Sequence, residues 1–204
     1  MTTTSGECAA AGVPGSARRR GKVLEHAIFQ AALDELVGSG YATLSMEAVA
    51  IRAQTGKAAI YRRWGSKEAL VLEALRELLP EAGPAPDTGD LRADLLELVM
   101  RMRAAMLSLP GRAGRVIMSE LDHERGLPFA GLMRDKVIEP GVSRMLELLG
   151  RGVARGEVRS EAVNHMVVDV APAMMLYRFK MQGPPTEQDA ADLVDQILLP
   201  LVRR

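Results

Sequence analysis

The sequence predicts an all-α protein of about nine helices, and three observations carry that reading. Apolar residues recur at helical spacing, as in Leu24, Ile28, Ala31 and Ala32 or in Leu91, Leu95, Leu98, Val99, Met102 and Met106, and no stretch alternates as a half-buried strand does. The core-forming residues are mostly Leu, Ala, Val and Met, with only three Phe, three Tyr and one Trp, a mixture that suits helix packing better than sheets. Glycine, proline and serine then cut the chain into segments of helical length.

Taken in order, the first helix is expected from about 22 to 37, ended by Gly38-Ser39-Gly40, where glycine accepts the left-handed conformation that closes a helix. Ser45 is the N-cap of a short second helix through Arg52, with Glu47 placed at the positive end of its dipole. A third runs from about Gly56 to Trp64. Ser66 caps a fourth over 67–79, with Glu68 in its first turn. The prolines of Pro80-Glu81-Ala82-Gly83-Pro84-Ala85-Pro86-Asp87 forbid helix there and mark a domain boundary or a long loop. Further helices are expected at about 88–108, 113–124, 128–155 with a break near Pro140-Gly141, 161–182 and 186–202. Pro172 should kink the fourth of these or leave a carbonyl free.

Composition narrows the function classes. With 48% hydrophobic and 25% charged residues the chain reads as an ordinary globular protein, and no apolar run approaches the roughly 18 residues of a membrane span. The first residues lack the apolar core of a secretion signal, so a cytoplasmic location is expected. Cys8, the sole cysteine, lies in a small-residue tail and supports neither a disulfide nor a metal site. His123 and His165 have no ligand-spaced partners, and Asp122-His123-Glu124 reads as the polar end of a helix, so no metal and no cofactor are expected. No GxGxxG, P-loop, HExxH or GxSxG occurs, which argues against an enzyme. Net charge is zero, yet Arg18, Arg19, Arg20 and Lys22 cluster, and Arg52, Lys57, Arg62, Arg63 and Lys67 follow one another with no acid between them. That is a local positive footprint for nucleic acid.

Residues 43–64 read as helix, tight turn, helix, with Met46, Val49, Ala50 and Ala53 on the inner side of one and Ile60 and Trp64 on that of the other. A second helix of this size fits a major groove about 12 Å wide, and Lys57, Ala58, Ala59, Tyr61, Arg62 and Arg63 supply small, basic and hydroxyl groups there. Ala58 and Ala59 can meet only thymine methyls, so base readout falls on Lys57 and Arg62 or Arg63, with Thr55 as a further candidate. Trp64 is expected in the core. The stretch AIFQAALDELVGSGYATLSMEAVAIRAQTGKAAIYRRWGSKEAL, residues 27–70, resembles the TetR family of regulators in the order and spacing of Gly40-Tyr41, Ser45, Ala50, Ala53, Lys57, Ile60 to Trp64 and Ser66 to Leu70.

The resemblance implies that Ser45 touches phosphate as well as capping, that Lys57 to Arg63 form the recognition helix, and that Lys67 contacts phosphate. It departs at the turn, where Gln54 stands in place of a glycine at a cost of about 1 kcal/mol. Thr55 or Gly56 must then cap the third helix, and Glu35 occupies a place that is usually apolar. The expected organisation is a flexible basic tail over 1–20, a helix-turn-helix DNA-binding domain over 21–66, and a larger helical ligand-binding and dimerisation domain over 67–204.

In the second half, Arg151 to Val158, the Pro-Pro-Thr turn at 184–186 and the final amphipathic helix are similar to the C-terminal domain of one TetR subgroup. This implies a homodimer through the last two helices, and the pattern is compatible: Met166, Val170, Met174, Tyr177 and Met181 share one face, and Leu193, Ile197 and Leu201 another. The chain has 12 methionines, whose flexible thioethers suit either a pocket for apolar ligands or plain core filling. Met102, Met106, Met118, Phe129, Met133, Met174 and Tyr177 are the pocket candidates. The expectation is a ligand-responsive transcriptional repressor that binds a palindromic operator of double-stranded DNA as a dimer and answers to a small apolar effector, with no membrane partner. The alternative is a DNA-binding dimer whose C-terminal domain only dimerises.

Overall fold

The computed structural model describes residues 21–204; the basic tail, with Cys8 and Arg18 to Arg20, lies outside the described residues. Helix is the only extended element among them, the one strand-like pairing being a bridge from Val158 to Arg203. No described helix is long and apolar enough to cross a membrane.

Helices α1 (Lys22–Ser39), α2 (Met46–Arg52), α3 (Lys57–Tyr61) and α4 (Lys67–Leu78) form the head. Phe29, Leu33 and Leu36 of α1 meet Val49 of α2, Ile60, Trp64, and Leu70, Ala74 and Leu75 of α4, all buried. Full burial of each large apolar side chain contributes roughly 1.5–3 kcal/mol, which fixes helices too short to persist alone. The same core takes in Ala113 and Ile117 of α6 (Leu109–Glu120) and Phe129 and Leu132 of α7 (His123–Met133). A second core joins α5 (Leu91–Leu107) and α8 (Glu139–Ala154) with α9 (His165–Val168), α10 (Val170–Gln182), α11 (Glu187–Asp192) and α12 (Leu199–Val202), around Leu95, Val99, Leu149, Met175 and Val194.

The proline-rich segment is loop, as its composition predicts, and three arginines hold its carbonyls: Arg144 Nε donates to Gly83 (2.6 Å), Arg101 Nη1 to Pro84 (2.7 Å) and Arg151 Nη1 to Pro86 (3.1 Å). The 151–158 stretch also has a local logic. Gly152 leaves room for Val158, whose Cγ2 would stand 2.5 Å from a β-carbon there, and Gly156 takes φ +79° to turn the chain back.

Several boundaries differ from expectation. Helix α6 begins at Leu109 instead of 113, because Pro110 sits in the first turn, where no amide is needed, and Ser108 Oγ accepts from Gly111 N. Asp122 caps α7 by accepting from Arg125 N (2.8 Å), so Asp122-His123-Glu124 opens that helix and the start expected at 128 comes earlier. No break occurs at Pro140. A π-helical turn, Arg134–Ile138, precedes it and lets the helix run on past the missing amide. The final helix repeats the device, with a π turn at Leu193–Leu198 before Pro200. The single helix expected over 161–182 is interrupted at Asp169, one turn before Pro172, as that proline's missing amide and its clash with the Val168 carbonyl lead one to expect, and Pro172 itself falls in the first turn of α10.

Candidate nucleic-acid interface

The turn between α2 and α3 keeps its geometry despite Gln54. That residue takes φ +53°, the only non-glycine described residue with positive φ, while Gln54 N donates to Ile51 O (3.1 Å) and Thr55 N to Ala50 O (3.0 Å). Gly56, not Thr55, is the N-cap of α3, in extended conformation and without a side-chain bond. Thr55 is half-buried beside it.

Beyond the turn, Lys57, Ala58, Tyr61, Arg62 and Arg63 are exposed and Ala59 is half-buried, while Ile60 and Trp64 point inward. Trp64 packs edge-on against Phe29 (5.5 Å) and donates from Nε1 to Glu73 (2.8 Å), a core role as expected. Three of the four nearby cations have acidic partners. Lys57 pairs with Glu47, Arg52 with Glu35 (2.6 Å) and Arg63 with Glu25 (3.8 Å). The hydrogen bond from Lys57 holds the Glu47 carboxyl below its usual range and raises the lysine, and Glu35 raises Arg52 in the same way. Arg62 makes no ion pair among the described residues, so it meets a ligand without first releasing an acid. Exposed pairs of this kind are worth about 0–1 kcal/mol, and phosphate or base edges can displace them. The unusual Glu35 has a role here, tying α1 to α2.

Ser45 caps α2, its Oγ accepting from Ala48 N (3.2 Å), and its hydroxyl hydrogen stays available to an anion. Lys67 has other partners than the phosphate the resemblance implies. Its ammonium donates to Tyr41 O (2.7 Å), Ala42 O (3.2 Å) and Leu44 O (3.2 Å), which uses all three hydrogens, and it lies 4.7 Å from the centre of the Tyr41 ring. On the other side of the same turn, Glu120 Oε2 accepts from Tyr41 N (2.8 Å) and Ala42 N (3.2 Å). Nothing in local sequence pattern links residues 78 and 79 positions apart, and sequence reading misses this contact.

The pocket candidates do not converge. Phe129 belongs to the head core, edge-on to Tyr41 at 5.9 Å. Met102 and Met106 pack at the margin of the second core, and Met133 lies against Gly114. Met174 and Tyr177 are exposed on α10. Met118 lines a shallow hollow of about 80 Å3 at the α6–α7 corner, with Leu121, His123 and Leu127. A larger depression of about 390 Å3 lies between α1 and α4 among Lys22, Glu25, His26, Phe29, Glu73 and Glu77, and none of the pocket candidates lines it. No group of His, Cys, Asp and Glu among the described residues is placed to hold a metal.

Comparison with known proteins matches two family models, "Bacterial regulatory proteins, tetR family" over residues 28–74 and "Tetracyclin repressor-like, C-terminal domain" over 85–197. A relative from Mycobacteroides abscessus, described as the DNA-binding transcriptional repressor TetR, is 33% identical over 190 residues, 90% of this chain and 96% of its own. An uncharacterised HTH-type transcriptional regulator of Mycobacterium tuberculosis is 32% identical over 169 residues, 81% of each chain. Among solved structures, Salmonella enterica GusR superposes with a TM-score of 0.68 at 19% identity, over 88% of this chain and 95% of its own. The regulator PfmR of Thermus thermophilus gives 0.63 at 22%, over 84% and 93%.

Proposed function

Because this chain belongs to the TetR family of transcriptional regulators, we propose that it is a repressor that binds a palindromic operator as a homodimer, reading bases chiefly through Arg62. The observation that carries this is the exposed α3 surface, on which Arg62 alone among its cations has no acid partner among the described residues and the small Ala58 and Ala59 let the helix lie close to base edges. Lys57 and Arg63 add phosphate or base contacts on leaving Glu47 and Glu25, and Ser45 and Tyr61 offer hydroxyls at the edges. Two such helices enter successive major grooves when a dimer sets them about 34–36 Å apart.

The dimer uses α10 and the last helical run. Met166, Tyr177 and Met181 are 80%, 59% and 64% exposed, with Leu176 and Ile197 beside them, which is a great deal of apolar surface for one helix pair to leave in water. Leu193 is buried in its own core, so it supports the face from behind.

An effector acts by binding better to the conformer with the wrong head separation. A second reading, a dimer that senses no small molecule, is favoured by the scatter of the pocket candidates over two cores and a surface.

Selection of bound sequences from a random DNA pool, with affinity then measured at two salt concentrations, tests the operator reading. A palindrome with half-sites about one turn apart is expected, with a salt slope set by the phosphates neutralised. Weak binding with no enriched sequence would overturn it. Release of the selected operator by hydrophobic compounds would separate the sensing reading from the second one.

A further inference from the structure

We propose that Glu120, at the end of α6, is a positioning residue for the DNA reader: its carboxylate ties α6 directly to the turn that launches α2, opposite a matching tie from Lys67 of α4. The proposal rests on the operator-binding reading only for its effect on affinity. The tie itself is a matter of geometry.

Residues 40–44 carry the chain from α1 to the cap of α2, and their peptide groups are held from both sides. The amides of Tyr41 and Ala42 donate to Glu120 Oε2, and the carbonyls of Tyr41, Ala42 and Leu44 accept from Lys67 Nζ. Gly40 makes the approach possible. It sits at φ +86°, which strains any larger residue, and a β-carbon there would lie 2.5 Å from Glu120 Oε1 and push the carboxylate off its present position. Tyr41 is 5% exposed, its ring locked under Lys67 and against Phe129 of α7. The turn is therefore joined to three helices at once, and Ser45, the cap of α2, follows Leu44 directly.

A hydrogen bond to a charged group is directional, and two neighbouring amides on one oxygen fix where the end of α6 stands relative to the turn. Any shift of that end, by a ligand or by a movement of the second core, must either drag the turn with it or break both bonds. This route reaches α2 without passing through α4. Glu120 is itself exposed, so its removal costs little packing, and its effect falls on position more than on folding.

Hydrogen exchange of the full chain as the wild type, Glu120→Ala and Glu120→Gln, with affinity of each for the selected operator and for random DNA, is the test. Glu120→Ala should raise exchange across 41–52 while α5 and α8 keep wild-type protection, and should weaken operator binding about tenfold with random-DNA affinity within about twofold, as loss of the two charge-assisted bonds that hold the turn predicts. Glu120→Gln, which keeps an acceptor oxygen, should recover most of both. Unchanged exchange over 41–52 would overturn the proposal, as would an equal loss on operator and random DNA. If the wild type selects no sequence, the operator reading fails by itself, and exchange alone then decides: a rise confined to 41–52 upholds the tie, and no rise refutes it.

Discussion

At the scale of single residues, Gln54 shows what sequence can and cannot say. Its misfit to the turn is legible from type alone, but only the structure tells whether the turn or the residue yields, and the residue does, at φ +53°. A left-handed L-residue costs about 1–2 kcal/mol, and glycine returns about 0.5–1 kcal/mol of that as freedom in the unfolded chain. Gln54→Gly should therefore stabilise the protein by roughly 0.5–1 kcal/mol in chemical denaturation with its operator preference unchanged; a loss of stability would mean that the glutamine side chain contributes contacts. Arg62→Ala should weaken operator binding by about 1–3 kcal/mol and relax preference at one base position, and unaltered preference would transfer readout to Lys57 or Arg63. Lys67 has protein partners in the free chain besides the phosphate that the resemblance implies. With three carbonyls on its ammonium, Lys67→Ala should lower stability by about 1–2 kcal/mol and leave the slope of log affinity against log salt as it was. A slope smaller by one unit would restore the phosphate contact.

At the scale of elements, caps and turns were the most readable signals and prolines the least. Ser45, Ser66 and Gly40 end or begin helices where their chemistry says they should. Pro140 misleads, because a helix can absorb a missing amide by widening one turn upstream, as it also does before Pro200, as well as by breaking, and local sequence does not choose between these. Thr186 and Asp189 form a reciprocal cap at the start of α11. The Thr186 amide, and after it the Thr186 hydroxyl, donate to Asp189 and hold its carboxyl below the usual range. A depressed value in the fold means stability that is complete above the unfolded carboxylate value of about 3.9 and fades as pH falls through the folded one. Helical signal followed in acid should thus fall less steeply with pH in Asp189→Asn than in the wild type, and identical acid limbs would remove the cap from the account.

At the scale of the whole molecule, the helical class and the reader were legible because periodicity and motif are local properties. The Glu120 tie and the dispersal of the pocket candidates were not, since both depend on which helices become neighbours. The exposed face of α10 leads to a test of assembly: Tyr177→Glu should yield monomers by light scattering with helical content intact, and a persistent dimer would put the interface elsewhere. One feature of the packing bears on protein engineering. The head's core is completed by Ala113, Ile117, Phe129 and Leu132, which lie beyond the loop and beyond α5 in the chain. A graft that joins residues 21–79 to another sensor would leave a reader with one wall missing and the Tyr41 and Ala42 amides without their acceptor. A working chimera has to carry α6 and α7 along with the head, so the exchangeable cartridge is discontinuous in sequence.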